Sequence, residues 1–170
     1  MASAPQNPID PGADIGHVHL KVADIDRALG FYRDVLGFEV QQVWEGAAFL
    51  SAGGYHHHIG MNTWQSKGGS PPPPGTTGLF HTAVRYPTRS ALAEAVRRVI
   101  DAGVAITGAS DHGVSEAVYM RDPDDNGVEL YWDRPEPEWP RDERGGVAMF
   151  SEPLDLDELL ALAPGPGGNA

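Results

Sequence analysis

Residues 120–132, MRDPDDNGVELYW, decide how this chain is read. Arg121 to Gly127 is dense in turn formers. Val128-Glu129-Leu130-Tyr131-Trp132 then alternates as a strand does, with Val128, Leu130 and Trp132 on an apolar face and Glu129 and Tyr131 on the other. A carboxylate in mid-strand, opposite an apolar row, needs either water or a cation. On an antiparallel sheet with one wet face it needs only water.

Working outward, residues 115–121 form the other arm of a hairpin with that strand, and residues 104–110 a further strand before it. Thr88 is placed as the N-cap of a helix that ends at Gly103, with Leu92, Ala95, Val96, Val99 and Ile100 as its apolar stripe. Residues 80–86 form the opening strand. The unit 79–135 therefore reads βαβββ. The same order occurs upstream in residues 15–64. Gly16 to Val22 alternates, with Val18, Leu20 and Val22 on one face and His17, His19 and Lys21 on the other. Asp24 caps a helix expected to end at Gly37, striped by Ile25, Leu29, Tyr32 and Leu36. Strands are expected at 38–44, 47–51 and 55–63. The fold class is α+β: two βαβββ modules forming an open half-barrel sheet around a metal site.

Residues 65–78, with four consecutive prolines at 71–74, read as a Pro/Gly-rich linker. Residues 1–14 read as a disordered N-terminal segment. Residues 136–170 read as a tail with a short helix near 155–162, in which Trp139, Val147, Met149 and Phe150 are apolar enough to pack on the cleft or on a partner subunit.

Composition narrows the function classes. The 170 residues suffice for one domain or two small fused halves, and a hydrophobic fraction of 41% supplies a core. A formal charge of −12 argues against nucleic acid or an anionic membrane surface as partner. The chain has no cysteine, so disulfides and thiolate metal sites are excluded. Neither a membrane span nor a signal-peptide pattern is read, which makes a cytoplasmic location the expectation.

Aligning the two units at an offset of 64 places His17 on His81, Lys21 on Arg85 and Asp24 on Thr88, with His19 on Ala83. His17 and His81 form the one histidine position shared by both opening strands. If the units pair about a pseudo-twofold axis, the opening strands become neighbours, His17 and His81 meet, and Glu129 completes a three-ligand set. Two imidazoles and a carboxylate with open positions suit Fe(II) in a non-haem oxygenase, and Mn, Zn, Ni or Co fit the same donors. A single histidine is more often a core group bonded to backbone. Two at equivalent repeat positions, with a carboxylate on the same cleft, favour metal binding.

Further groups suit proton chemistry. In Tyr55-His56-His57-His58, His56 and His58 are expected to point to the cleft, His58 being the better candidate acid/base, although an exposed polar strand end reads equally well. His112 lies in the loop before the strand of Tyr119, where both side chains are placed to hydrogen-bond a chelated substrate. Taken alone, Tyr119 reads as a half-buried sheet aromatic.

These residues resemble the vicinal oxygen chelate superfamily, which includes glyoxalase I, extradiol ring-cleaving dioxygenases, fosfomycin-inactivating transferases and bleomycin resistance proteins. The segment GHVHLKVADIDRALGFYRDVLGF, residues 16–38, is characteristic, and the resemblance covers about residues 15–135. Within it the chain is most similar to extradiol dioxygenases of the catechol 2,3-dioxygenase type. Their signature matches His112, then Val118-Tyr119, Asp122-Pro123, Asp125 and Glu129, and only Asp125 departs, standing where Gly or Pro is usual. Asp accepts positive φ better than most residues, so the turn is expected to survive.

The resemblance implies that His112 bonds substrate or oxygen, that Tyr119 bonds the bound catecholate, and that the family's acid/base histidine falls on His56, His57 or His58, best on His58. A glyoxalase I pattern would put a fourth carboxylate ligand near that point, and this chain has none. The well-known dioxygenases carry four such modules against two here. The activity this implies is metal-dependent extradiol cleavage of an aromatic vicinal diol with O₂, in a homodimer. A lyase, isomerase or transferase using another divalent metal, or a non-catalytic antibiotic-binding protein, are the alternatives on the same scaffold.

Overall fold

Asp24 and Thr88 start the two main helices by the same device. Each holds extended backbone, and its side-chain oxygen accepts the N–H three residues on, that of Arg27 or Ala91. The computed structural model describes residues 7–163. In it α1 spans Ile25–Tyr32 and α2 spans Arg89–Asp101. The second helix closes before Gly103 as expected, with that glycine at φ +74°. The first is shorter than expected. Its hydrogen bonds widen from Leu29 on: the Leu29 carbonyl takes the N–H groups of Arg33 and Asp34, and the Phe31 carbonyl those of Val35 and Leu36, so regular helix stops at Tyr32 and an irregular turn leads to Gly37.

Around α1 stand β1 (Val18–Lys21), β2 (Glu39–Trp44), β3 (Ala47–Ser51) and β4 (Ile59–Asn62). Around α2 stand β5 (Thr82–Arg85), β6 (Ile106–Asp111), β7 (Ser115–Arg121) and β8 (Gly127–Asp133). A two-residue β9 (Glu152–Pro153) and α3 (Leu156–Leu160) follow. The first sheet runs β1-β4-β3-β2 and the second β5-β8-β7-β6-β9. In each, the opening strand pairs parallel to the closing strand of its own unit and every other pairing is antiparallel. The two sheets are open and mixed.

The opening strands do not hydrogen-bond to each other. β1 and β5 are each the edge of a separate sheet, and both line the cavity between the sheets. β4 also starts later than expected, at Ile59. His56, His57 and His58 precede it as irregular chain, tied to β3 where the His58 N–H reaches the Leu50 carbonyl at 2.8 Å.

Leu20, Leu29, Leu50 and Met61 from one unit and Leu92, Val96, Val118 and Leu130 from the other belong to one buried cluster. Burial of such side chains is the main stabilising term. The units are latched at the turn before β8. Tyr32 on α1 donates its hydroxyl to Asp122 at 2.9 Å, and Asp124 accepts the Ala23 N–H and pairs with Arg27. In the same turn Asp125 takes φ 65°, the one non-glycine residue at positive φ among the described residues.

Residues 7–14 hold no helix or strand, and residues 1–6, part of the segment expected to be disordered, lie outside the described residues. The end of the tail, residues 164–170, lies outside them too. Within the described tail, Val147, Met149 and Phe150 are exposed, and Trp139 donates its indole N–H to the Arg134 carbonyl. The buried anchor is Leu159 of α3, a helix that docks on α2 through Arg89 to Glu158, Arg97 to the Leu160 carbonyl and Ser90 to the Leu162 carbonyl. No described helix is long and apolar enough to cross a membrane.

Candidate active site

β8 carries its alternation into space. Val128 and Leu130 are buried in the core, and Glu129 faces the other way. Glu129 is nevertheless only 9% exposed, so its carboxylate sits largely out of water and requires partners. Two neighbouring strands supply them. Tyr119 is the cross-strand partner of Glu129 in the β7–β8 ladder and donates its hydroxyl to Oε1 at 3.2 Å. His81, immediately before β5, sets Nε2 at 2.8 Å from Oε2.

That approach depends on Gly127. A Cβ built there would fall 2.0 Å from the Phe80 carbonyl oxygen and 3.0 Å from His81 Cα. Gly127 thus lets the backbone of the His81 segment close on β8. The Asn126-Gly127 turn signal marked this position in the sequence, but not its purpose.

The line of polar groups continues past Tyr119. His112 Nε2 lies 2.7 Å from the Tyr119 hydroxyl. Burial, and then the Glu129 carboxylate, push the Tyr119 phenol up to about 12, so it is a neutral hydrogen-bond donor at neutral pH. Four side chains from four parts of the second unit therefore form one row: His112, Tyr119, Glu129, His81.

His17 and His58 stand on the first unit. Both line, with His81 and Ala83, a cavity of about 650 Å³ between the edge strands. His17 is exposed, and its ring packs on His57 at 4.4 Å between centroids. Among the described residues no three His, Asp or Glu side chains are gathered closely enough to hold an ion. The structure thus brings His81 and Glu129 together and sets His17 on the shared wall without joining it to them. Of the three consecutive histidines, His58 lines the cavity, with Nδ1 accepting the Ala52 N–H at 3.3 Å. His56 is exposed and shares a 2.7 Å contact between Nδ1 atoms with His57. Burial, and then the neighbouring imidazoles beginning with His17, hold His57 below the usual histidine range.

The ladders explain why only one unit carries the carboxylate. Ala83 is the register partner of Glu129 in the second sheet, whereas His19 is the register partner of Gly60 in the first. A Cβ at Gly60 would meet His19 Nδ1 at 2.8 Å, and Asn62 fixes His19 Nε2 at 2.8 Å. In the first unit the imidazole of His19 fills the space that Glu129 uses in the second. The sequence alignment paired His19 with Ala83 but could not show what this exchange does.

Residues 14–130 match the Glyoxalase/Bleomycin resistance protein/Dioxygenase superfamily. The chain belongs to that superfamily. It is 39% identical over 149 residues to a catechol-2,3-dioxygenase of Bacillus subtilis (strain 168), covering 88% of this chain and 52% of that protein. It is 33% identical over 121 residues to biphenyl-2,3-diol 1,2-dioxygenase 3 of Rhodococcus globerulus, covering 70% and 63%. The chain therefore spans between about half and two thirds of the length of these curated relatives. Among solved structures, a glyoxalase/dioxygenase from Nostoc punctiforme shares the fold, with a TM-score of 0.62 at 20% identity over 78% of this chain and all of that one.

A divalent ion suits the donors present. Nitrogen and carboxylate ligands lie at about 2.0–2.2 Å from such an ion, so two adjacent corners of an octahedron are roughly 3 Å apart. His81 Nε2 and Glu129 Oε2, 2.8 Å apart, have that spacing. The set is also oxygen- and nitrogen-only, as a chain without cysteine requires.

Proposed function

We propose that this protein is a metal-dependent extradiol ring-cleaving dioxygenase that acts on a catechol-like vicinal diol with O₂. The observation that carries the reading is the row His112, Tyr119, Glu129, His81, which combines a buried carboxylate, paired with a half-exposed imidazole, with a phenol and a second imidazole beside it. The similarity to dioxygenases of catechol and biphenyl-2,3-diol supports the substrate class.

In this reading His81, Glu129 and His17 hold Fe(II). His17 is the candidate third ligand because it lines the same cavity as His81. When bound, the ion acidifies the diol and brings it together with O₂. The protein's own groups do the rest. Tyr119, a neutral phenol, donates a hydrogen bond to the ionised diol oxygen nearest it, which orients the ring. His112 Nε2 lies 2.7 Å from the Tyr119 oxygen, and a protonated His112 donates to that oxygen and leaves the hydroxyl's own proton for the diol. His58, which lines the larger cavity with His81, would take a proton from the second diol hydroxyl once its Nδ1 leaves the Ala52 N–H, and return it as the ring opens. The apolar part of the cavity, with Val18, Ile59, Leu79 and Val84, seats the hydrocarbon ring and limits water.

The same reading includes a homodimer and a cytoplasmic location. Trp44, Trp64 and Phe80 are large apolar side chains exposed on this chain that a second copy would cover in part.

The test is anaerobic loading with Fe(II), addition of catechol or a 2,3-dihydroxybiphenyl, and admission of air. The expected result is a yellow ring-opened product formed with equimolar O₂ uptake. Product formation without O₂ uptake would mean a non-oxidative member of the superfamily, and tight diol binding without turnover would mean a binding protein. Either result overturns the proposal.

A further inference from the structure

The tail touches the site from behind. After its turn the chain passes Pro140, reaches Phe150 and adds β9 to the free edge of β6, with Ser110 opposite Pro153 and Asp111 opposite Glu152. At Phe150 it makes two backbone contacts with one residue. The Phe150 N–H donates to the His112 carbonyl at 3.3 Å, and the Phe150 carbonyl oxygen lies 3.0 Å from His112 Nδ1. The residue beside His112 is shaped for this. Gly113 stands at φ +75°, and a Cβ there would fall 2.5 Å from the Phe150 ring and 2.8 Å from Pro140. The strap therefore lies flush on a glycine, and only a glycine leaves room for it.

A carbonyl oxygen only accepts, so His112 Nδ1 must carry a hydrogen. In the neutral ring Nε2 is then a bare acceptor, and the Tyr119 hydroxyl 2.7 Å away turns its one proton to it instead of to Glu129. When the ring gains a proton it gains it at Nε2, which donates to the Tyr119 oxygen while Tyr119 donates to Glu129 Oε1. In both states Nδ1–H stays on Phe150. Every proton that His112 gains or loses passes through Nε2, on the side of Tyr119.

We infer that the strap from Pro140 to Phe150 is a positioning element of the site, and that the Phe150 carbonyl locks His112 in the Nδ1–H form so that its proton exchange is directed to Tyr119 and the bound diol. The role in turnover rests on the dioxygenase reading; the tautomer does not.

Ring nitrogens of ¹⁵N-histidine-labelled full-length protein, without added metal, report the tautomer by long-range ¹H–¹⁵N correlation. The His112 signals are assigned by their loss in His112→Gln. The expected result is a single Nδ1–H form in the native protein. In Gly113→Ala, whose methyl displaces the strap, and in Phe150→Ala, which removes the exposed ring that seats it, a mixture with the Nε2–H form should appear. If ring cleavage is found, kcat in these variants should fall about ten- to a hundredfold while KM changes less than about twofold, as for a misoriented group rather than lost substrate binding. Gly113→Ala strains the backbone, so Phe150→Ala decides if the former does not fold. A native Nε2–H form, or a folded variant that keeps pure Nδ1–H, overturns the inference. Absence of ring cleavage with the expected tautomers would instead fail the dioxygenase reading and leave the lock standing.

Discussion

His81 Nε2 and Glu129 Oε2 meet at 2.8 Å, from the segment that opens the second unit and the strand that closes it. Their parallel ladder fixes this meeting, since Thr82 pairs with Val128 and Ala83 with Glu129. If the pair holds the ion, Glu129→Gln and His81→Ala should each weaken Fe(II) binding at least about a hundredfold, a loss no smaller than removal of outer-sphere partners brings. Metal content after anaerobic dialysis measures this. His17→Ala should do the same, although His17 packs on His57. Native metal affinity in His17→Ala would remove it from the ligand set.

Tyr119→Phe keeps the ring in the β7–β8 ladder and deletes only the hydroxyl that bridges His112 and Glu129. Loss of a hydrogen bond to a charged group costs about 1.5–3 kcal/mol. We expect kcat/KM to fall by roughly ten- to a hundredfold, with Fe(II) still bound. In the metal-free protein Tyr119 should ionise near 12, identified by its loss in Tyr119→Phe, and Glu129→Gln should bring that titration down, because the carboxylate is a cause of the rise after burial. Ultraviolet difference titration follows it.

Much of this site is legible in the sequence because strand alternation is local. Val128, Glu129 and Leu130 had to face as they do once a strand was assigned. Capping by Asp24 and Thr88 follows from residue type alone. The helix past Tyr32 was not legible, because its wider turn is set by packing rather than by the apolar stripe. Nor was the separation of β1 and β5: a repeat gives the two units but not the way their sheets meet. The Phe150 contact with His112 joins a main-chain carbonyl to a distant loop, and backbone carries no residue-type signal.

The latch between the units offers a separate test. Tyr32 is 1% exposed and donates to Asp122 Oδ2 at 2.9 Å, while Asp122 also accepts the N–H groups of Asp124 and Asn126. Burial, and then the Asp122 carboxylate, hold the Tyr32 phenol far above its usual range, so it is always the donor. Tyr32→Phe leaves a buried acceptor with one partner fewer and should cost about 1–3 kcal/mol, read as a lower urea midpoint with unchanged slope. Metal affinity should stay native, because the latch lies behind the turn and touches none of the four residues in the row. Loss of metal binding together with stability would show that the latch sets the position of β8.

Acid stability should depend on the base of the His112 loop. Arg134 grips Asp111 with two hydrogen bonds, at 2.6 and 2.9 Å, and also reaches Glu116 at 2.9 Å. The Arg134 hydrogen bond, ahead of the opposing effect of burial, holds the Asp111 carboxyl below the usual range. A carboxyl depressed in the folded state binds its proton more readily when the chain is unfolded. Its contribution is therefore complete above the unfolded pKa of about 3.9 and is lost as pH falls through the lower folded value. Asp111→Asn removes the titrating group. The variant should be less stable than the native protein at pH 7, and the two urea midpoints should converge as pH falls below about 4. A difference that stays constant across that range would mean that Asp111 acts through shape alone, and that its pairing with Arg134 adds no electrostatic hold on the loop that carries His112.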